Sequence, residues 1–492
     1  MSKSLSEKEK LIIFISSCTV FVILNLFFLF RDNYLFSAFP IGLVFIIWAF
    51  LALDKLLLAI VFMAPLSVTL SDLGIESQYN LFLPTEPLLL GISLLFLMKM
   101  FFEKKYDYRV TKHPISLAIY AYLIWLFITS ITSTMPLVSF KFFITKIWFI
   151  VPFYFFGIYL FKDKKNIKQY AWVYIFGLLA VIIYTLFRQF QLGFLSQKVA
   201  HYAVTPFFRD HTAYGAALTF VLPVLIAFLT IYKTRISKVL ITFLIIIYLF
   251  ALVLSYTRAA WVSIILGVFV WGIIRLRINA VYIFSGILIV LLVALFNNHK
   301  IMMYLEKNRQ ESTGDLAKHA QSIANITTDA SNLERINRWK SAWRMFKEKP
   351  YLGFGPNTYM FQYAPYQMSY EKTIISTNFG DRGDAHSEYL GALAESGVLG
   401  MLTFLLIVIL SASYGIKVYY RCKTKEMKNI TMGVLIGLFT YFIHGILNNF
   451  LTTDKTSALF WGFIGIIVAI DIYHKDQDSL ASRDAKKIPH QE

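Results

Sequence analysis

Cysteine is almost missing from this chain of 492 residues: Cys18 and Cys422 stand alone, with no partner at ligand spacing. Their isolation argues against both a zinc site and a disulfide framework. Charged residues make up only 15% of the chain, and no polar stretch outside roughly 297–388 is long enough to coat a soluble domain. A Walker A motif is missing too. Gly353-Phe354-Gly355 lacks the third glycine of a dinucleotide fingerprint and follows no βαβ pattern, so Lys349 to Asn357 reads as a turn. The first apolar run, Leu11 to Phe30, is too long for a signal-peptide core and has no small-residue cleavage site, so a retained helix is expected.

What the chain has instead is hydrophobic length. Apolar residues make up 57% of it, in runs that repeatedly reach the length needed to cross a hydrocarbon core of about 30 Å. The runs are continuous rather than alternating, which excludes an outer-membrane barrel. The expected fold is all-α and integral to a membrane: a polytopic bundle of about 12–14 transmembrane helices with one large extracytoplasmic segment, 297–388. Fourteen spans are read, near 11–30, 35–53, 56–70, 87–102, 115–133, 144–161, 170–187, 212–231, 239–256, 259–274, 279–296, 389–416, 430–449 and 456–473. They divide into N-terminal helices at 1–199, a region at 200–465 that holds the candidate chemistry, and a tail at 474–492.

Charge sets the orientation. The net charge of +18 sits largely in short alternate loops, such as Lys104, Lys105, Arg109 and Lys112, or Lys417, Arg421, Lys423, Lys425 and Lys428. The loop Ser71 to Glu86 between such clusters has no Lys or Arg. The basic excess is therefore a topology signal rather than a nucleic-acid footprint, and it places both termini in the cytoplasm and segment 297–388 outside. The loops left inside are too short for an ATPase domain, a nucleotide-sugar fold or a kinase, so any chemistry proceeds outside without ATP.

Few residues on that side carry chemistry. His386, between Asp384 and Glu388 at the start of a span, is a candidate general base, or a structural hydrogen-bonder. From Leu333 to Lys349, Ile336, Trp339, Trp343 and Phe346 recur at helical spacing among basic residues, which reads either as an interfacial helix with no ligand or as one whose Arg335 or Arg338 binds phosphate. Arg258 lies in a very tight outer turn, where it binds an anion or snorkels. Arg209 is followed by Asp210, with which it can pair. Glu395, His444, Glu86, Lys141, Lys146 and Asp454 complete the outer set, His444 by default as a hydrogen-bonder within a helix. Gly397 and Gly400 permit a helix break or close packing at the depth of Glu395.

Five stretches in order resemble the O-antigen ligase and polymerase superfamily: Phe208-Arg209-Asp210-His211-Thr212; Thr257-Arg258-Ala259-Ala260-Trp261; Arg338-Trp339 leading to Pro350-Tyr351-Leu352-Gly353-Phe354-Gly355-Pro356; His386-Ser387-Glu388-Tyr389-Leu390 through Glu395-Ser396-Gly397; and His444-Gly445 with Asp454. The resemblance is strongest from about 200 to 465. It implies glycosyl transfer without metal or cofactor on the outer face of the bacterial cytoplasmic membrane. The donor would be a glycan on undecaprenyl diphosphate. The acceptor would be a sugar hydroxyl, on lipid A-core or another surface glycoconjugate for a ligase, or on a second lipid-linked glycan for a polymerase. It assigns His386 as base and Arg258 as a diphosphate ligand, with Arg209 or Arg338 as the second cation and Glu395 and His444 in support. One departure stands out: His201 to Pro206 lacks the arginine that such proteins often carry before the span, so either Arg209, Lys198 or Arg338 replaces it or this chain does without. A flippase or secondary transporter is the alternative from another class, although no internal repeat is visible.

Overall fold

A computed structural model describes residues 6–31, 35–38, 51–74, 81–103, 107–279, 330–373, 376–377 and 383–474, with isolated positions between 40 and 48 and at 282. The chain divides into two compact units, Met1–Leu57 and Leu58–Glu492. The first contains helix α1 (Glu7–Leu29), opened by a capping box in which Ser6 and Glu9 exchange hydrogen bonds with each other's backbone. Helix α2 (Leu53–Met63) carries the chain into the second unit.

A small hairpin follows, β1 (Val68–Thr69) paired antiparallel with β2 (Phe82–Leu83). Then come α3 (Thr85–Glu103), α4 (Pro114–Ile131), α5 (Pro136–Leu160), α6 (Lys164–Leu192), the short α7 (Gln197–Ala203), α8 (His211–Ile231), α9 (Arg235–Leu254) and α10 (Arg258–Arg275). After an interval outside the described residues come α11 (Ala330–Glu348), α12 (Glu388–Arg421), α13 (Lys425–Leu447) and α14 (Asp454–His474). The protein is an all-α polytopic membrane protein. Ten of these helices, α3 to α6, α8 to α10 and α12 to α14, are long and apolar enough to cross a membrane.

These ten coincide with ten of the spans read from sequence. The expected spans at 35–53 and 279–296 lie largely outside the described residues. That at 56–70 differs: α2 ends at Met63 and a 3₁₀ turn through Pro65 leads to the hairpin. Pro65 stops the helix, and Ser67 serves a buried cation instead of lipid, its carbonyl accepting from Lys455 Nζ at 2.9 Å. α5 begins at Pro136 rather than near 144. Lys146, read as one of the outer set, is a buried residue within the helix, and its Nζ donates to Leu451 O at 2.6 Å.

Small residues set the centre of the bundle. α8 crosses α13 at Gly433 and Gly437, where a Cβ would lie 2.9 Å from Pro223 O and 2.7 Å from Phe220 O, respectively. α14 is the most deeply buried span. Gly462 seats the Tyr170 ring against it, and the Tyr170 hydroxyl donates to Ala458 O at 2.7 Å. By contrast α9 turns Phe243, Ile246 and Phe250 outward, an apolar surface of the kind lipid covers.

Candidate functional site

The site is built around an interruption in α12. At about 1.5 Å per residue, 34 helical residues measure about 51 Å, well beyond a bilayer core. The helix breaks at Gly397 (φ 68°, ψ −170°), a conformation open essentially to glycine alone. A break strands backbone polar groups, and here residues 350–355 take them up. Phe354 N donates to Ala394 O at 3.2 Å, Gly355 N to Glu395 O at 2.7 Å, and Val398 N to Pro350 O at 2.9 Å. Ser396 O accepts from Trp125 Nε1 of α4 at 2.8 Å. Glu395 is enlisted in the same lacing, its Oε1 accepting from Tyr359 N at 3.0 Å. The loop is tied in turn to the α4–α5 junction, where Phe354 O accepts from Thr134 N at 2.9 Å and Pro356 O from Ser139 Oγ at 2.8 Å.

That lacing fixes His386, two residues before α12. Its backbone is left-handed (φ 49°), unusual for a residue with a side chain, and its carbonyl accepts from Trp339 Nε1 of α11 at 3.3 Å. Ser387 caps α12 by accepting from Leu390 N. Glu388 Oε1 accepts from Tyr441 Oη at 2.6 Å and from Leu451 N at 2.9 Å, so this carboxylate anchors α12 to α13 and the loop after it. Burial, and then the guanidinium groups of Arg335 and Arg338, hold the His386 imidazole down at about 4, against the opposing pull of Asp210 and Glu334. Near neutrality it is therefore uncharged.

The cations come from separate elements. Arg258 opens α10 after a turn whose Tyr256 is also left-handed (φ 51°). Thr257 donates to His211 O at 2.9 Å, and Gly215 of α8 leaves room for the Thr257 side chain, so this turn is clamped onto the start of α8. Arg258 lies within electrostatic range of Arg335, and Arg335 within range of Asp210. His444, fully buried on α13, is a neighbour of Arg335 and Asp210 and sets its Nε2 3.1 Å from Asn448 Nδ2. Asp210 caps α8, its Oδ1 accepting from Thr212 N at 2.7 Å and Ala213 N at 2.8 Å.

Arg338 is engaged differently from Arg335. Its Nε donates to Glu334 at 2.6 Å, its guanidinium stacks 3.9 Å from the Tyr363 ring centroid, and both members of the pair are buried. Gly383 supplies the gap, since a Cβ there would lie 1.5 Å from Arg338 Nη1. Glu334 also accepts from Thr373 and Ser376. The buried stripe of α11 is thus Glu334, Asn337, Arg338, Ser341, Ala342 and Met345, while the aromatic stripe read from sequence is the more exposed one, with Trp343 outward. Arg338→Ala is expected to cost about 2–3 kcal/mol, because it leaves Glu334 buried with neutral hydroxyl and amide partners and no cation. Thermal unfolding in detergent measures this.

Arg209 sits apart from Asp210's cap, its guanidinium 5.7 Å from the Phe82 ring and within range of Lys455. There it joins a second buried polar group. Asp454 accepts from Thr85, Glu86 accepts from Phe82 N, and Lys455 Nζ lies 3.6 Å from Asp454. On another side of residues 384–388 lies a cavity of about 50 Å³, room for a few waters, lined by Asp384, Glu388, Glu395, Lys146 and Asn449. Among the described residues no group of three or more His, Cys, Asp or Glu is placed to hold a metal ion. Asp210 was read from sequence only as a partner for Arg209. The aspartate opening an apolar span two residues before Thr212 was the available sign of a helix cap.

A comparison with curated proteins finds no match. A family model described as O-antigen ligase matches residues 243–405, a span that contains Arg258, Arg335, Arg338, His386 and Glu395. The match supports a glycosyltransferase-like role in O-antigen or polysaccharide assembly, with lipid-linked glycans and membrane lipid as the implied substrates. Over residues 243–405 this multi-pass membrane protein matches the O-antigen ligase family model.

Proposed function

We propose that the protein transfers a glycan from undecaprenyl diphosphate to an acceptor sugar hydroxyl at the outer face of the bacterial cytoplasmic membrane. The observation that supports this reading is the position of Arg335, within electrostatic range both of the uncharged imidazole of His386 and of Arg258 from a separate helix. The distribution of basic residues among the loops supports that end of the bundle lying outside and both termini inside. His386 accepts the hydroxyl proton as the acceptor oxygen attacks the anomeric carbon. The bond from that carbon to the diphosphate oxygen breaks, and undecaprenyl diphosphate leaves with the electron pair. Arg258 binds the leaving group, and Arg335 takes the second position because it lies within electrostatic range of both Arg258 and His386. Glu395 and His444 support this arrangement from the α12 break and from α13. No metal, cofactor or nucleic acid enters the scheme.

The cationic field around His386 links base strength to donor binding. With diphosphate bound, the field of Arg335 on the imidazole is neutralised and its proton affinity rises, while burial, the larger cause, still holds it below the ordinary histidine range. The free enzyme's acid limb, seen in kcat/KM, is expected as pH falls through about 4, because the base is lost on protonation. The limb in kcat, which reports the donor complex, should lie at higher pH. Rate profiles from pH 3.5 to 8 separate the two, and coincident limbs count against the scheme.

Transfer is tested with purified protein in liposomes, an undecaprenyl-diphosphate-linked glycan and candidate acceptors, without ATP and with chelator. Product on lipid A-core marks a ligase, and elongation of the lipid-linked glycan marks a polymerase. Arg335→Ala is expected to raise donor KM at least tenfold, with unfolding unchanged within about 1 kcal/mol. Donor crossing to the other leaflet with no new glycosidic bond would replace this reading with a flippase.

A further inference from the structure

The end of the bundle remote from His386 carries an open groove of about 550 Å³ between the start of α4 and the end of α12. Four cations line it: Arg109 and Lys112, on and just after the short helix Tyr108–Thr111, and Lys417 and Arg421 on the last turns of α12. One carboxylate faces them, Asp471 of α14. Arg421 lies 3.6 Å from Asp471 and Arg109 pairs with Asp107 at 3.0 Å, while Lys112 and Lys417 rest over the rings of Tyr108 and Tyr414.

The groove wall holds a buried donor. His113 is 6% exposed, and its Nδ1 accepts from Ile115 N at 3.2 Å to cap α4, so the proton of the neutral ring resides on Nε2. That Nε2 makes no hydrogen bond and lies 3.6 Å from Asp471. With four cations against one carboxylate lining the groove, and a buried N–H whose nearest carboxylate stands beyond hydrogen-bond length, the wall has room and charge for an oxyanion.

The position says which one. α4 starts at Pro114 and α12 ends at Arg421, so the groove opens at the level where two spans meet the headgroups. Leu117, Ile124, Ile128 and Ile131 form an exposed apolar stripe down α4 from the groove, suited to an acyl chain. We infer that this groove binds the phosphate of an anionic phospholipid, its chains lying along α4, at a site separate from the transfer chemistry.

The test titrates full-length protein in detergent with phosphatidylglycerol, phosphatidylcholine or inorganic phosphate and follows thermal unfolding. Phosphatidylglycerol is expected to stabilise saturably, and the other two are not. The K112Q/K417Q double variant changes two exposed side chains. It should unfold at the wild-type temperature without lipid but need at least tenfold more phosphatidylglycerol for the same shift, and Lys417→Glu should weaken the response as well. An undiminished response in both variants, or equal stabilisation by phosphatidylcholine, overturns the proposal. Equal stabilisation by inorganic phosphate overturns the lipid assignment and leaves a free-anion site.

Discussion

His386→Asn is expected to leave a folded protein whose kcat for glycan transfer falls at least about a hundredfold, the usual loss when a positioned base is removed. Asparagine is the informative replacement because it tolerates the left-handed backbone that His386 adopts, at φ 49°, better than alanine does. The Trp339 bond to the residue 386 carbonyl and the Ser387 cap do not depend on the imidazole, so α11 and α12 keep their docking. KM for the donor should change little, since Arg258 and Arg335 remain. Transfer by His386→Asn at the wild-type rate would show that the imidazole is structural. A loss of thermal stability matching the loss of rate would make the same point.

Gly397→Ala is expected to be the most damaging single methyl group in the described chain. Its Cβ would lie 2.0 Å from the Tyr351 carbonyl oxygen, and φ 68° with ψ −170° is forbidden to alanine. Strain and backbone displacement together cost about 3–5 kcal/mol. The loop at 350–355 must then leave the break, exposing the carbonyls of residues 394 and 395 and the amide of 398. Lower thermal stability and new proteolytic cleavage between 350 and 357 would register this, with transfer lost as His386 loses its support. Gly272→Ala, where a Cβ meets nothing within 4 Å, is the control and should be close to neutral. Equal behaviour of the two variants would refute the interlock.

Much of this architecture was open to reading from residues alone, for definable reasons. Continuous apolar runs are read by length, so ten spans fall where expected. Lys146 read only as a member of the outer set, because the carbonyl that accepts from it inside the bundle, Leu451 O, lies 305 residues further along the chain. The arginines of α11 show the same limit in a sharper form. Arg335 and Arg338 are one turn apart, and packing gives them different surroundings. The Glu334 to Arg338 spacing of four residues was the legible sign that Arg338 already had a partner. The gap left by Gly383 for that guanidinium had no such sign, because it depends on two segments far apart in the chain.

The interlock of α12 with residues 350–355 bears on how topology is to be mapped. A reporter fused after any residue between 356 and 394 truncates the chain before Val398, removing the helix whose broken turn the loop completes. Such a fusion reports on a loop with no seat, and its location need not be the native one. Labelling in the full-length chain avoids this, and the scarcity of cysteine makes it simple. With Cys18 and Cys422 replaced, a single introduced thiol reads the side of the membrane with the lock still closed.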